Sequence, residues 1–175
     1  EAVNPPPAND DCATPDAIAG QGSFAYDNSQ GTTGSEGQNE YICYQFGSSS
    51  VENDVWFAWT APTTSTFIVD TCQSPNIDTK IAAYPGSGCP VTGSVLDCND
   101  DSCNLQSQIS FQGAAGSSYM LQIGTFPGAS GGFGTFNISS SGPSNDDCNS
   151  PVVLPSGPGT FPYDCTSATT GNEGQ

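Results

Sequence analysis

The sequence predicts an all-β fold: a jelly-roll-like antiparallel β-sandwich, stapled by disulfides, with an extended C-terminal partial repeat. The 175 residues contain short runs in which apolar and polar residues alternate, and clusters of Gly, Pro, Ser and Asn separate these runs. The eight cysteines include no CxxC pair and the chain has no His, so disulfides explain them better than a zinc site. No segment shows a sustained helical period, which leaves a β-sandwich as the expected class.

The predicted strands are short and evenly spaced. They cover residues 41–46, 54–61, 66–72, 80–84, 108–112, 119–124 and 134–139, with a weaker candidate at 24–27. Most have one apolar face, as where Ile109 and Phe111 flank Ser110. Residues 55–59 are apolar on both faces, which predicts a central strand covered on both sides or a face that meets a partner.

An internal repeat organises the chain. Residues 9–12 (Asn-Asp-Asp-Cys) recur at 145–148, 22–27 resemble 159–164, and 32–38 resemble 169–175. We therefore expect a Pro-rich lead or linker at 1–8, a sandwich domain at 9–140, and a linker with a partial second repeat at 141–175. Because repeats gain stability by packing on neighbours, residues 141–175 are expected to contact another copy of the protein.

Charge restricts the partners. Lys80 is the only Lys or Arg, against eighteen Asp and Glu, and the net charge is −17. Such a chain will not hold nucleic acid or dock on anionic lipid, and it has no apolar run long enough to insert in a membrane. Metal cations or a basic partner are the natural counter-charges for such a chain. Solubility alone explains the acidic composition equally well. The cysteines and the absence of an initiating Met suggest secretion with a removed signal peptide, or a window cut from a longer array.

Several segments in order carry a family resemblance. They read DVWFAWTAP at 54–62, TFIVD at 66–70, DTKIAAY at 78–84, CNDDSC at 98–103, AGSSYMLQI at 115–123 and GTFNI at 134–138. This order resembles the bacterial pre-peptidase C-terminal-like domains and the Asn-Asp-Asp-Cys repeat domains of secreted surface proteins. The resemblance implies a jelly-roll sandwich, secretion, no catalysis of its own and, in some relatives, calcium in the loops.

Calcium is the chemistry that the polar residues favour, because Ca²⁺ takes oxygen ligands from flexible carboxylate-rich loops. Turn formation is the alternative role for these side chains. The candidate ligands form three sets: Asp78, Asp100 and Asp101; Asp10, Asp11 and Glu36; and, by repetition, Asp146, Asp147 and Glu173. Without His or Arg, no enzyme activity is expected, and Lys80 is predicted to be a paired surface charge.

The predicted disulfide pairs are Cys12–Cys43, Cys72–Cys89, Cys98–Cys103 and Cys148–Cys165. Alternatively, Cys148 or Cys165 links two chains. Trp56, Trp59, Tyr41 and Tyr44 are expected mainly to pack in the core, with a sugar platform as the alternative. Asn137 begins a glycosylation sequon, so glycans are possible partners.

These observations favour a non-enzymatic extracellular or cell-surface module that assembles end to end, as a filament or a tandem array, with Ca²⁺ adding stability. Strand donation by residues 145–175 to a neighbouring sheet is the expected mode of joining. The alternative is a carbohydrate- or protein-binding accessory domain of a secreted hydrolase.

Overall fold

The computed structural model describes residues 4–74 and 77–141, and nine strands form within them. These are β1 (Asp16–Ala19), β2 (Gly22–Asp27), β3 (Glu52–Thr60), β4 (Ser65–Asp70), β5 (Thr79–Pro85), β6 (Asp97–Asp100), β7 (Gln108–Gly113), β8 (Ser118–Thr125) and β9 (Phe133–Ser140). No helix in this part of the chain is long and apolar enough to cross a bilayer.

Two sheets pack face to face. The first, sheet A, has the order β1-β3-β8-β5-β6, and the second, sheet B, has the order β2-β9-β4-β7. All pairings are antiparallel except that of β1 with β3, which is parallel. This arrangement confirms the predicted disulfide-stapled β-sandwich.

The main core lies between the sheets. Trp59 of β3 contacts Phe67 of β4 edge to face, with ring centroids 4.7 Å apart, and Phe57 contacts Phe136 at 4.8 Å. Residues of β4 and β7 alternate between buried and less buried, as period two requires. Burial of these aromatic rings removes apolar surface from water and so stabilises the packing of the two sheets.

A second apolar cluster lies on the other face of sheet A. It contains Trp56, Ala82, Tyr84 and Met120 together with buried half-cystines. Strand β3 is therefore covered on both sides, as its two apolar faces predicted. Part of the cover comes from the connection between β2 and β3, whose Cys43 is fully buried in this cluster.

One predicted strand is wrong, and two strands were not predicted. Residues 41–46 form turns and an isolated bridge between Gln45 and Ser48 instead of a strand. β1 and β6 were not predicted because each has only four residues and no strong apolar alternation. In β6, Asp97 and Asn99 use their side chains to accept from Ser110 N at 2.8 Å and Gln108 N at 3.0 Å, which ties this edge strand of sheet A to β7 of sheet B.

The three disulfides within the described residues confirm that six of the eight cysteines are oxidised, but the pairs differ from those predicted. The bonds are Cys12–Cys89, Cys43–Cys98 and Cys72–Cys103, so the predictions Cys12–Cys43, Cys72–Cys89 and Cys98–Cys103 are wrong. Cys98 belongs to β6 and points to the covered outer face of sheet A, whereas Cys103 lies beyond a turn and reaches the end of β4. Cys98 and Cys103 are close in sequence but lie on different sides of sheet A, so they bond to different partners. Cys148 and Cys165 lie outside the described residues.

Candidate functional site

The most unusual polar site lies where β5 and β6 pair near the covered face of sheet A. Lys80 of β5 is directly opposite Asp100 of β6 in the antiparallel register. Lys80 Nζ lies 3.6 Å from Asp100 Oδ2, with side-chain exposures of 0% and 1%. The chain's single cationic side chain is therefore buried, and the prediction that Lys80 is a surface charge is wrong, although it is paired.

Two further contacts hold the Lys80 side chain, and a third holds the backbone of Asp100. Lys80 Nζ donates to the backbone carbonyl of Ser48 at 2.9 Å and lies 5.6 Å from the ring centroid of Phe126. Asp100 N donates to Gln45 Oε1 at 2.6 Å. Gln45 and Ser48 belong to the β2–β3 connection, so this loop closes over the ion pair and keeps water away from it.

Two more carboxylates border this pair. One oxygen each from Asp78, Asp100 and Asp101 lie within 4.8 Å of one another. Asp101 has a φ of 62°, in the left-handed region, which turns the chain sharply after β6. The structure therefore brings the first predicted set of calcium candidates together.

Burial dominates the titration of this group. Burial, helped by the negative charges of Asp101 and Asp78, raises the pKa of Asp100 to about 6 against the Lys80 ammonium, which lowers it. Burial also lowers the pKa of Lys80, against the pull of Asp100. The pKa of Asp78 is raised by burial and by the charge of Asp101. Each of these shifts favours uncharged forms of the buried groups.

The second predicted set is not brought together. Asp10 accepts from Thr32 N and Thr32 Oγ1, each at 2.6 Å, and Asp11 Oδ1 accepts from Ala13 N at 2.8 Å. Glu36 Oε1 accepts from Ser35 Oγ at 3.0 Å. These carboxylates accept hydrogen bonds from nearby loop residues, which is the turn-forming role given above as the alternative to calcium binding. Asp146, Asp147 and Glu173 lie outside the described residues.

A buried polar network behind the β2–β3 connection was not predicted from the sequence. Asp54 accepts from Gln122 Nε2 at 2.9 Å, and Tyr84 Oη donates to Gln122 Oε1 at 3.0 Å. The Glu40 carboxylate accepts from Gly93 N at 3.0 Å. Burial raises the pKa of Asp54 to about 6, and the hydrogen bond from Gln122 opposes that shift. The only sequence signal was a polar residue at the start of an otherwise apolar strand.

The four aromatic residues considered for a sugar platform separate into two groups. Trp56 and Trp59 are 1% and 0% exposed and belong to the cores, whereas Tyr41 and Tyr44 are 91% and 63% exposed. The two tyrosines line an open cavity of about 350 Å³ together with Asn39, Glu40 and Ser49. The Cys43–Cys98 disulfide anchors the loop between the two tyrosines.

No family model matches the sequence, and no curated protein matches it. The solved structures that are similar to this chain include three with TM-scores of 0.40 to 0.42. The pre-peptidase C-terminal domain of a Bacillus anthracis collagenase is 10% identical, with a TM-score of 0.40, over 79% of this chain and 98% of that one. The periplasmic g-type lysozyme inhibitor PliG of Aeromonas hydrophila is 11% identical, with a TM-score of 0.41, over 71% and 95%.

The third is CorA, a surface-associated copper-binding protein of Methylomicrobium album BG8. It is 6% identical, with a TM-score of 0.42, over 72% of this chain and 98% of that one. These values are too low to assign the chain to a family or to transfer a ligand.

Proposed function

We propose that the chain is a non-enzymatic extracellular structural module that assembles end to end with other copies of itself. The observation that carries the proposal is the repeat of residues 9–38 at 145–175, taken with the role of 9–38 in the sandwich. That first copy supplies β1 to sheet A and β2 to sheet B, at one edge of each. The second copy has the side chains to occupy the equivalent place on a neighbouring sandwich.

The repeated residues are those that attach the segment to the rest of the sandwich. Asn9 Nδ2 donates to Trp56 O at 3.2 Å, and Trp56 N donates to Asn9 O at 2.8 Å. Asp10 holds Thr32 by two hydrogen bonds. All of these attachment residues recur in the second copy, as Asn145, Asp146 and Thr169.

The chain's own residues 9–38 fill the places of β1 and β2. The other two edge strands, β6 and β7, are tied to each other through the side chains of Asp97 and Asn99. Docking of 145–175 on a neighbour would therefore proceed by exchange with the neighbour's own 9–38 segment. Secretion is supported by the three disulfides, which form and persist in oxidising compartments.

Truncation tests the proposal. A chain lacking residues 142–175 is expected to fold and remain monomeric, while the full chain forms longer assemblies, as measured by light scattering and electron microscopy. Asp146→Ala with Thr169→Ala should weaken assembly of the full chain. Asp164→Ala is the matched control, because the side chain of its counterpart Asp27 accepts a local hydrogen bond from Ser29 N at 3.0 Å. Equal assembly with and without residues 142–175 would refute the proposal.

Calcium stabilisation remains a prediction. Asp78, Asp100 and Asp101 converge, but the ammonium of Lys80 already supplies a positive charge beside them, so we do not assign them as metal ligands. Isothermal titration with calcium chloride, on wild type and Asp101→Asn, tests the prediction. Calcium uptake that Asp101→Asn abolishes would support the site, and no uptake at millimolar calcium would leave these aspartates as turn formers and partners of Lys80.

A second candidate function is glycan binding by the 41–46 loop. The observation that favours it is the open cavity lined by exposed Tyr41 and Tyr44, whose rings offer flat apolar faces beside polar Asn39 and Ser49. Affinity electrophoresis in neutral polysaccharides tests it, with retardation lost in Tyr41→Ala/Tyr44→Ala. Phe133→Ala, which removes a 71% exposed ring elsewhere, is the control. Unchanged migration of wild type in every polysaccharide would exclude this function.

A further inference from the structure

A nucleophile and an electrophile face each other inside the sandwich. The amine of Lys80 and the carboxyl of Asp100 project from directly paired positions of β5 and β6, and Lys80 Nζ lies 3.6 Å from Asp100 Oδ2. Both side chains are almost fully buried. Holding two reacting groups in one geometry turns a bimolecular reaction into a unimolecular one, and burial removes the water that would otherwise compete.

The hydrogen bonding of this pair is incomplete. The Lys80 amine is held by the Ser48 carbonyl, but within the described residues both carboxylate oxygens of Asp100 are buried without a hydrogen-bond partner. Most buried polar atoms are hydrogen-bonded, so an orphaned carboxylate in a protein interior calls for an explanation. A buried ion pair with unsatisfied oxygens is a weak contributor to stability.

We propose that Lys80 and Asp100 condense to form an intramolecular isopeptide bond. The lone pair of Lys80 Nζ attacks Asp100 Cγ, a new C–N bond forms, and one carboxyl oxygen leaves as hydroxide that takes up a proton to become water. The products are one amide and one water molecule, so the reaction needs no oxidant, reductant or activating group.

The surroundings supply the required proton movements. Burial lowers the pKa of Lys80 and raises that of Asp100, so transfer of one proton within the ion pair gives the reactive amine and carboxylic acid. The Asp78 and Asp101 carboxylates border the Asp100 oxygens. Either one would accept the second proton from nitrogen and return it to the departing hydroxyl.

The product fits the same space with fewer unsatisfied groups. One of the two orphaned oxygens leaves as water, two buried charges disappear, and the remaining amide N–H keeps the Ser48 carbonyl as its acceptor. The bond would fasten β6, a four-residue edge strand, covalently to β5. This inference is independent of the proposed assembly, because it concerns a bond within one sandwich.

Intact mass tests the proposal directly. The full chain and an Asp100→Ala chain, made in the same host, are unfolded, fully reduced and weighed by mass spectrometry. Wild type is expected to weigh one water less than its sequence, and Asp100→Ala is expected to show no such deficit. Wild type at its full sequence mass overturns the proposal, whether or not Asp100→Ala folds.

The single Lys provides a second readout. Lys80 is the only Lys or Arg, so it is the only site at which trypsin can cut. A lysine whose amine is in an amide is not recognised, and the unfolded, reduced wild-type chain is expected to stay uncut while Asp100→Ala gives two peptides. Complete cleavage of wild type after Lys80 would contradict the bond.

Discussion

At the scale of single residues, the fold buries several carboxylates although Lys80 is the only Lys or Arg that could pair with them. Asp54 is fully buried and depends on hydrogen bonds, chiefly that from Gln122, instead of on a positive charge. Because burial raises the pKa of Asp54 to about 6, the folded protein holds this proton more tightly than the unfolded chain does. Asp54 therefore links stability to pH.

We predict that this linkage destabilises the protein as pH rises from about 4 to 6. The pKa of Asp54 rises on folding from 3.8 to about 6, so in this window the folded state binds more protons and its stability falls with pH. The shift corresponds to at most about 3 kcal/mol. Urea unfolding at stepped pH measures the free energy of unfolding, and Asp54→Asn is expected to flatten its slope. Parallel pH profiles for wild type and Asp54→Asn would contradict this role.

The sequence predicted the convergence of Asp78, Asp100 and Asp101 but not what they surround. Clustered Asx residues near strand ends are visible in the sequence, and strand pairing brought them together. The burial of Lys80 was not visible, because it depends on Gln45 and Ser48 of a loop that closes over β5 and β6. The apolar and polar alternation within a strand shows which face of the sheet a residue occupies. It does not show which loop packs over that face.

At the scale of elements, the β2–β3 connection is the least predictable and the most consequential part of the fold. Residues 41–46 contain three aromatic residues and one β-branched residue, a composition that favours a strand. The Cys43–Cys98 bond and the 28–38 stretch instead bind the connection across the outer face of sheet A. The strands β3, β4, β5, β7, β8 and β9 were predictable because each alternates toward the core or is apolar on both faces.

Gly37 shows how closely this connection approaches the sheet. It has a φ of 73°, and a Cβ there would overlap Gln122 and Tyr84. Gln38, the next residue, donates to Val51 O at 2.7 Å. These contacts explain why Glu-Gly-Gln recurs in the second copy without invoking a metal ligand.

Gly37→Ala is therefore expected to destabilise the sandwich by about 2–4 kcal/mol, because it adds both backbone strain and overlap. Two controls separate the causes. Gly47 has a φ of 93° with open space around it, so Gly47→Ala should cost about 1–2 kcal/mol. Gly88 has neither constraint, and Gly88→Ala should change stability by less than about 0.5 kcal/mol. Denaturant unfolding of the three variants measures the differences, and equal costs for Gly37→Ala and Gly47→Ala would show that the contact is unimportant.

At the scale of the whole molecule, the net charge of −17 opposes the assembly that we propose from the repeat. Subunits that each carry −17 repel one another, so assembly requires specific contacts and benefits from salt that screens the repulsion. The attachment residues of the first copy provide a template for such contacts. Cys12 is a further attachment residue, because its disulfide with Cys89 links the first copy covalently to the loop between β5 and β6.

Exchange of the two copies makes a specific prediction about Cys148. By repetition, Cys148 corresponds to Cys12, so a 145–175 segment seated on a neighbour in place of 9–38 would put Cys148 beside that neighbour's Cys89. The test assembles a mixture of isotope-labelled and unlabelled chains and maps their peptides without reduction. We expect Cys148–Cys89 peptides in which one half is labelled and the other is not. Cys148→Ser should remove these peptides and weaken the assembly, while Cys165→Ser, whose counterpart Asn28 cannot form a disulfide, should leave them in place. Recovery of only Cys148–Cys165 peptides, each from a single chain, would rule out joining by exchange. It would instead support the Cys148–Cys165 pair predicted from the sequence.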